Sequence, residues 1–419
     1  MANEARAVEV IRLEPGIEDA LRYVARQPIL DRQGRVHGYE LLFRNGPEQI
    51  FSGDGDLATR TMLDNTVIFG LERLTGGATA FVNCTREALT DSLVDVLPPS
   101  QTVLEILETL ELTPELIESC RALKKSGYRL ALDDFTWREG VEPLVELADY
   151  IKIDFTISGP IERAWIMRKL GKKAVALVAE KVETQEEYEE ACAEGFTLFQ
   201  GYYFCRPMLM ENRKVPANRT SHFEILRMLK DPSVDLNRLA DAVKRDTSLT
   251  YRLLRLINSP VYAIHQEVRS IQTVLVTVGE ETFRRVAMLA IASEINANQP
   301  VELLRMALIR GRFCELAAPR ASLDETEQYL VGMLSLLPAM LRMPPEQMIP
   351  SLPLREQIRN VLMGMNLPEG RLLQWMIDRE HGDWDGCDGI VRKIGVSREA
   401  LEECYASALV WAETVVRYI

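Results

Sequence analysis

Acids and amides recur at the ends of short apolar runs in the first half of this chain. Glu40 closes one run, Asn83 another, and Glu105 a third with Glu108 just beyond. Asp133 and Asp134 close LALDD, Lys152 and Asp154 close YIKID, Glu180 closes AVALVAE with Glu183 following, and Gln200 closes FTLFQ. Any one of these acids is better read as a helix cap or a solvated strand end. Gathered on one face they would repel one another, and bound cations remove that conflict. Oxygen donors alone suit Mg²⁺, Mn²⁺ or Ca²⁺, and more than four carboxylates leave room for two ions. Two such ions about 4 Å apart polarise a phosphoryl group for in-line attack by water. Lys152 would hold that water or the charge growing on phosphate, and Arg44 could fork onto a phosphate.

For that chemistry the runs must be strands whose ends converge. Eight candidates are read: YVARQPIL, VHGYELLF, TAFVNC, TVLEIL, RLALDD, YIKID, AVALVAE and FTLFQG. Helix-like segments separate most of them. In TPELIESCRALKKSG, Thr113 can cap, Pro114 opens the helix and Gly127 ends it. Strands alternating with helices point to an α/β barrel of the TIM type, whose site lies at the C-terminal ends of its strands. The link LDRQGRVHG is too short for a helix, so the first two strands should form an antiparallel hairpin.

The texture changes at RPMLMENRKVPANRT. Residues 1–209 are read as the barrel, 210–219 as a linker and 220–419 as an all-α domain. In SLTYRLLRLINSP, Leu249, Leu253, Leu256 and Ile257 share one helix face, and Ser259-Pro260 stops the helix. A formal charge of −13 argues against sequence-independent nucleic-acid binding. No run is long enough to be a membrane segment, and MANEARAVEV lacks the regions of a signal peptide, so a cytoplasmic protein is expected. The seven cysteines are scattered and never form a CxxC pair, which suits reduced thiols.

These motifs resemble a known family. QPILDRQGRVHGYELLFR looks like the opening of the EAL domain, with Glu40-Leu41-Leu42 in place of Glu-Ala-Leu. FVNCT, LEILE, LALDDF, IKID, AEKVET and QGYYFCRP resemble its later motifs in the same order, so the likeness spans residues 20 to 209. The resemblance implies a barrel that hydrolyses cyclic di-GMP to linear pGpG with Mg²⁺ or Mn²⁺, two sites being open. It implies metal ligation by Glu40, Asn83, Glu105 and Asp133, with Asp134 at a second ion. Lys152 would position the water, and Glu180 would serve as ligand or general base. Leu42 and Arg44 would contact the dinucleotide. Gln200 and Glu183 would complete the shell, Asp154 would support it from behind, and Glu108 would anchor the loop after the fifth strand.

Two positions depart from the family pattern. The loop after Asp134 reads FTWREGVEP, with no glycine before Gly140, and Lys181 replaces the glycine beside Glu180. Trp137 and Arg138 in that loop are read as packing it rather than stacking on a base. Both departures keep a second reading open, an adaptor that binds cyclic di-GMP or a protein without turning substrate over. The second half resembles the HDOD domain in VKRDTSLTYRLLRLINSP and VRSIQTVLVTVGEETFRRVAML. HD enzymes need paired His and Asp ligands. Here His37, His222, His265 and His381 never stand in a His-Asp pair. A non-catalytic module for an unknown protein partner is expected, and family members commonly pair as homodimers through the barrel.

Overall fold

The computed structural model describes residues 24–43, 71–91, 93–205, 225, 228, 236–262, 264, 268–296, 299–352 and 354–418. Eight strands close a barrel in chain order. They are β1 (Val24–Asp31), β2 (Val36–Phe43), β3 (Thr79–Cys84), β4 (Thr102–Ile106), β5 (Arg129–Leu132), β6 (Tyr150–Asp154), β7 (Ala176–Glu180) and β8 (Leu198–Gln200). The pairs from β2 to β8 are parallel, whereas β1 runs antiparallel to both β2 and β8. The expected hairpin is therefore present. Its turn is closed by the Gly34 N–H on the Asp31 carbonyl at 2.9 Å, with Gly34 at φ 73°.

Strand side chains alternate between the two faces of a sheet. Ile29, Phe81, Val103, Ala131, Tyr150, Val178 and Leu198 fill one buried layer inside the barrel. β2 offers Gly38 at this level, because a methyl group there would lie 2.7 Å from the Phe81 ring. Phe81 fills the space instead. Two residues further along each parallel strand, the next inward positions are Glu40, Asn83, Glu105, Asp133, Lys152, Glu180 and Gln200. The same step on the reversed strand runs towards the N-terminus, from Ile29 to Gln27, which pairs with Glu40 across the β1–β2 ladder. The apolar layer is thus the floor, and the polar layer the rim above it.

The helices outside the barrel follow their sequence signals. In the helix Pro114–Lys125 the Thr113 side chain accepts from the Leu116 N–H, and Gly127 behind it adopts φ 94°. Beyond the barrel the described chain is helical. Leu249, Leu253, Leu256 and Ile257 of the helix Thr247–Ile257 are wholly buried, as their spacing predicts. The helix Ile271–Ile295 is broken at Gly279, which sits at φ 77°. The helices Val301–Ala317 and Glu325–Leu334 meet backbone to backbone, since a methyl group on Gly332 would lie 2.3 Å from the Arg310 carbonyl oxygen.

Contacts divide the chain into two compact units, and the division does not follow the sequence. The barrel unit takes in Trp375–Gly389, a stretch far down the helical half. The expected boundaries at 209 and 220 leave that stretch with the helices on either side of it. Among the described residues no helix is long and apolar enough to cross a membrane. Cys84, Cys120, Cys192, Cys314, Cys387 and Cys404 are free thiols.

Candidate active site

Lys152 stands at the centre of the rim, wholly buried at the end of β6. Its Nζ lies 3.0 Å from Glu40 Oε2, 2.7 Å from Glu105 Oε1, 2.6 Å from Asp133 Oδ1 and 2.8 Å from Glu180 Oε1. Asn83 Nδ2 donates to Glu40 Oε1 at 2.9 Å. Gln200 Nε2 donates to Glu40 Oε2 at 2.7 Å and to Gln27 Oε1 at 2.9 Å. Six strands, β2 to β7, therefore deliver the expected side chains to one point, and β8 closes the ring with Gln200. Gln27 belongs to this group and was missed. The signal for it was available, since an antiparallel β1 places its inward residue opposite Glu40.

One ammonium carries three protons and one charge, and four carboxylates surround it. The acids respond unequally. Burial would raise Glu40, but the Lys152 charge and hydrogen bonds from Gln200, Lys152 and Asn83 hold it below the usual carboxylate range. Burial and the neighbouring Glu40 charge push Glu105 well up, against the pull of Lys152. Burial also raises Asp133, and takes Glu180 up to about 8 despite Lys152. Lys152 would lose its proton more readily through burial alone, yet the surrounding acids drive it far the other way. The site thus holds more acid than its own cation neutralises.

Asn83 Oδ1, Glu105 Oε2, Glu180 Oε2 and Gln200 Oε1 are buried and accept no hydrogen bond. Orphaned buried oxygens are costly, and these are hard donors suited to a hard cation. The donor set fits a divalent ion for that reason. Among the described residues no group of three or more His, Cys, Asp or Glu side chains is preassembled for a metal, because the carboxylates are drawn onto Lys152 instead.

Asp134 and Asp154 form a second, smaller group. Asp154 Oδ1 accepts from the Thr156 N–H and hydroxyl, both at 2.6 Å, and its Oδ2 accepts from Lys181. Burial would raise Asp154, but the hydrogen bonds from Lys181 and Thr156 keep it low. Asp134 lies 3.8 Å from Lys181 Nζ, and burial raises it against that charge. Asp134 and Lys181 both adopt left-handed backbone, at φ 40° and 54°. Aspartate tolerates this region; for lysine it is strained, and the family glycine fits it better.

The loop after Asp134 is clamped. Arg138 donates to the carbonyls of Glu108 and Leu110, each at 2.7 Å. The expected anchor is therefore the Glu108 backbone held by Arg138, while the Glu108 side chain is exposed. Trp137 packs edge-on against Phe135 and Trp165, each with centroids 6.0 Å apart, and Lys169 lies over both tryptophans at 5.4 Å. Packing, not a free stacking face, is its role. Glu183 is exposed and its N–H donates to Glu187 in the helix cap, so its side chain does not enter the ring around Lys152. Leu42 is half-buried at the end of β2, and Arg44 lies outside the described residues.

The second half shows no comparable convergence among the described residues. Buried Glu315 pairs with Arg285 and with Arg312 at 2.7 Å, and buried Glu302 with Arg305, which also reaches Glu413 at 3.1 Å. His222 and His265 lie outside the described residues.

The EAL domain family matches residues 82–207 and the HDOD domain family residues 215–349. The uncharacterised protein YuxH of Bacillus subtilis (strain 168) is 34% identical over 405 residues, covering 94% of this chain and 98% of its own. The cyclic di-GMP phosphodiesterase CdgJ of Vibrio cholerae serotype O1 is 33% identical over 406 residues, covering 95% and 94%. Among solved structures, the calcium and cyclic di-GMP complex of Klebsiella pneumoniae BlrP1 is 27% identical over 43% of this chain and 54% of its own, with a TM-score of 0.35. Matched along nearly its whole length and carrying both domains in this order, the chain belongs to the EAL–HDOD family.

Proposed function

We propose that this chain is a divalent-metal-dependent phosphodiesterase that opens cyclic di-GMP to linear pGpG. The observation that carries this reading is the excess of buried acid around Lys152. Four carboxylates, with orphaned oxygens beside them, face one ammonium. Glu40, Asn83, Glu105, Asp133 and Glu180 would hold Mg²⁺ or Mn²⁺, with Asp134 at a second position. Such an ion supplies Lewis acidity towards a phosphoryl oxygen. Water attacks phosphorus, the P–O3′ bond breaks, and the ribose oxygen leaves with a proton from solvent. We assign Glu180 the proton of the attacking water, a role supported by the burial that raises its carboxyl to about 8. Lys152 stabilises charge building on the phosphoryl oxygens. We assign Leu42 and Gln200 contacts with the dinucleotide and Arg44 a phosphate contact. Asp154 keeps Lys181 in place.

The helical half is assigned no chemistry. Its buried Glu302 and Glu315 are paired with arginines, which suits a cytoplasmic regulatory or docking module for a protein partner. Self-pairing through the barrel is read by light scattering.

The test is turnover of cyclic di-GMP by the full chain in Mg²⁺, Mn²⁺ and Ca²⁺ separately. Formation of pGpG, abolished in Glu180→Gln, is expected. Absence of turnover in every ion overturns the reading. A second reading, a cyclic di-GMP receptor without turnover, is favoured by the Lys181 pairing with Asp154 and Asp134 and by the clamped loop. Binding by calorimetry without product would select it.

A further inference from the structure

The stretch Trp375–Gly389 reaches the barrel across more than three hundred residues of chain, and its landing place is specific. Arg379 is almost wholly buried and donates to the Val24 carbonyl at 3.0 Å. Its guanidinium also lies 5.4 Å from the Trp375 ring centre and 5.3 Å from that of Trp384. Gln27 donates from Nε2 to the Glu380 carbonyl at 3.2 Å, and the Tyr202 hydroxyl donates to the same oxygen. A methyl group on Gly382 would sit 3.3 Å from Leu42 Cδ1.

These partners locate the stretch. Val24 opens β1 and pairs with Phe43 at the end of β2, so it lies at the rim end of the barrel. Gln27 points inward and is bonded to Gln200, which is bonded to Glu40. Glu380 is therefore three hydrogen bonds from the Glu40 carboxylate, which contacts Lys152. The stretch walls the mouth on its β1, β2 and β8 side.

The wall is built in. A buried arginine held by a carbonyl and two tryptophans is expensive to undock, since its charge would lose those partners. From this wall one aromatic side chain is presented. His381 is exposed, and its ring stacks on Tyr202 with centroids 4.0 Å apart and planes 26° apart. Its Nδ1 lies 2.7 Å from the Ile377 carbonyl, which fixes the ring plane. One face of the imidazole is covered by Tyr202, and the ring is held flat beside the mouth.

We infer that His381, carried by the helical half of the chain, is a nucleotide-binding residue of the barrel, a fixed aromatic platform on which a purine of the substrate stacks. The inference rests on the cyclic di-GMP reading above. A cyclic dinucleotide whose phosphate sits in the ring carries two purines beside it, and the wall on the β1, β2 and β8 side offers one of them the His381 ring. Consecutive Cα atoms are about 3.8 Å apart, so His381 lies one residue from Glu380, whose carbonyl is held by Gln27 of the polar rim. Stacking on a preordered ring is worth a measurable share of binding.

The experiment is calorimetry of cyclic di-GMP with the full chain in Ca²⁺, comparing the parent with His381→Ala and His381→Phe. The expected result is roughly tenfold weaker binding for His381→Ala and near-parental binding for His381→Phe, which restores a flat ring. Ca²⁺ affinity should stay at the parental value, because the imidazole is outside the acid ring, and the melting temperature should fall by only a few degrees on loss of the Tyr202 stack. Equal or tighter dinucleotide binding by His381→Ala overturns the inference, since the wall would then be neutral or obstructive. A parent that takes up Ca²⁺ but no dinucleotide overturns it at its root. That outcome is distinguishable, because the cyclic di-GMP reading then fails before any variant is compared.

Discussion

The two halves of the chain bury charge in opposite ways. In the barrel, side chains from separate strands converge on Lys152 and leave acid in excess, with Glu105 and Glu180 pushed above their ordinary range. In the helical half, two buried acids, Glu302 and Glu315, find arginines three positions away on the same helix. Glu302 meets Arg305, and Arg312 meets Glu315, with Arg285 closing on Glu315 from a neighbouring helix. Matched pairs hold helices in place. An unmatched excess is a charge conflict that a bound cation would relieve. Burial of charge is thus no mark of a site by itself; imbalance is the mark.

Four perturbations sharpen or break that contrast. The largest effect belongs to Glu40→Gln, which removes a charge from the converging cluster. Turnover of cyclic di-GMP should fall by about 1,000-fold, with the melting temperature unchanged or raised. Residual turnover near the parental rate would break the comparison. Next comes Glu315→Gln, which takes the buried carboxylate from between two half-buried arginines, Arg285 and Arg312, in the helical half. A loss of about 3 kcal/mol in urea unfolding is expected, with turnover per folded molecule intact. Lost turnover in a folded variant would show that the second half takes part in the chemistry.

Lys181→Gly should act more weakly. It relieves left-handed lysine backbone and frees Asp134 and Asp154 from a half-exposed ammonium. Mn²⁺ affinity by calorimetry should rise roughly fivefold, the worth of an exposed ion pair. Unchanged affinity would place Asp134 and Asp154 outside the ion site. The smallest effect concerns His37, on the floor side of the barrel, whose ring lies 3.1 Å from the Tyr150 hydroxyl. Burial, then the Arg129 charge, lower its pKa from 6.5. The folded state therefore favours neutral His37. Its contribution is complete above pH 6.5 and is lost as pH falls below 6.5 towards the lower folded value. Stability measured by denaturant between pH 7.5 and 5.5 should decline in the parent and flatten in His37→Asn.

The comparison also explains what the sequence disclosed. The barrel was legible because strand ends write an acid or amide two residues after an apolar inward position, as in Val103 and Glu105 or Val178 and Glu180. The helix Pro114–Lys125 was legible from its cap and its terminating glycine. Local physics sets both. Gln27 is hidden from that pattern because β1 is reversed and its rim residue precedes its core residue. An acid at Glu108 suggests a side-chain anchor, but the loop is held through its carbonyl, which accepts from Arg138. Backbone roles leave no trace in residue type. The wall of Trp375–Gly389 was illegible for a different reason. Its partners, Val24 and Gln27, lie 355 and 353 positions away. No periodicity or cap encodes a landing place at that range.

The two-residue step from floor to rim sets which length changes the barrel survives. A single residue inserted between Phe81 and Asn83, or between Val178 and Glu180, would turn the rim side chain outward and bring an apolar neighbour into the ring. A residue inserted beyond the rim, in the loop after Asp134 or after Lys181, leaves every carboxylate facing inward. Relatives with intact chemistry should therefore differ freely in loop length at the mouth and keep a constant count between floor and rim on every strand.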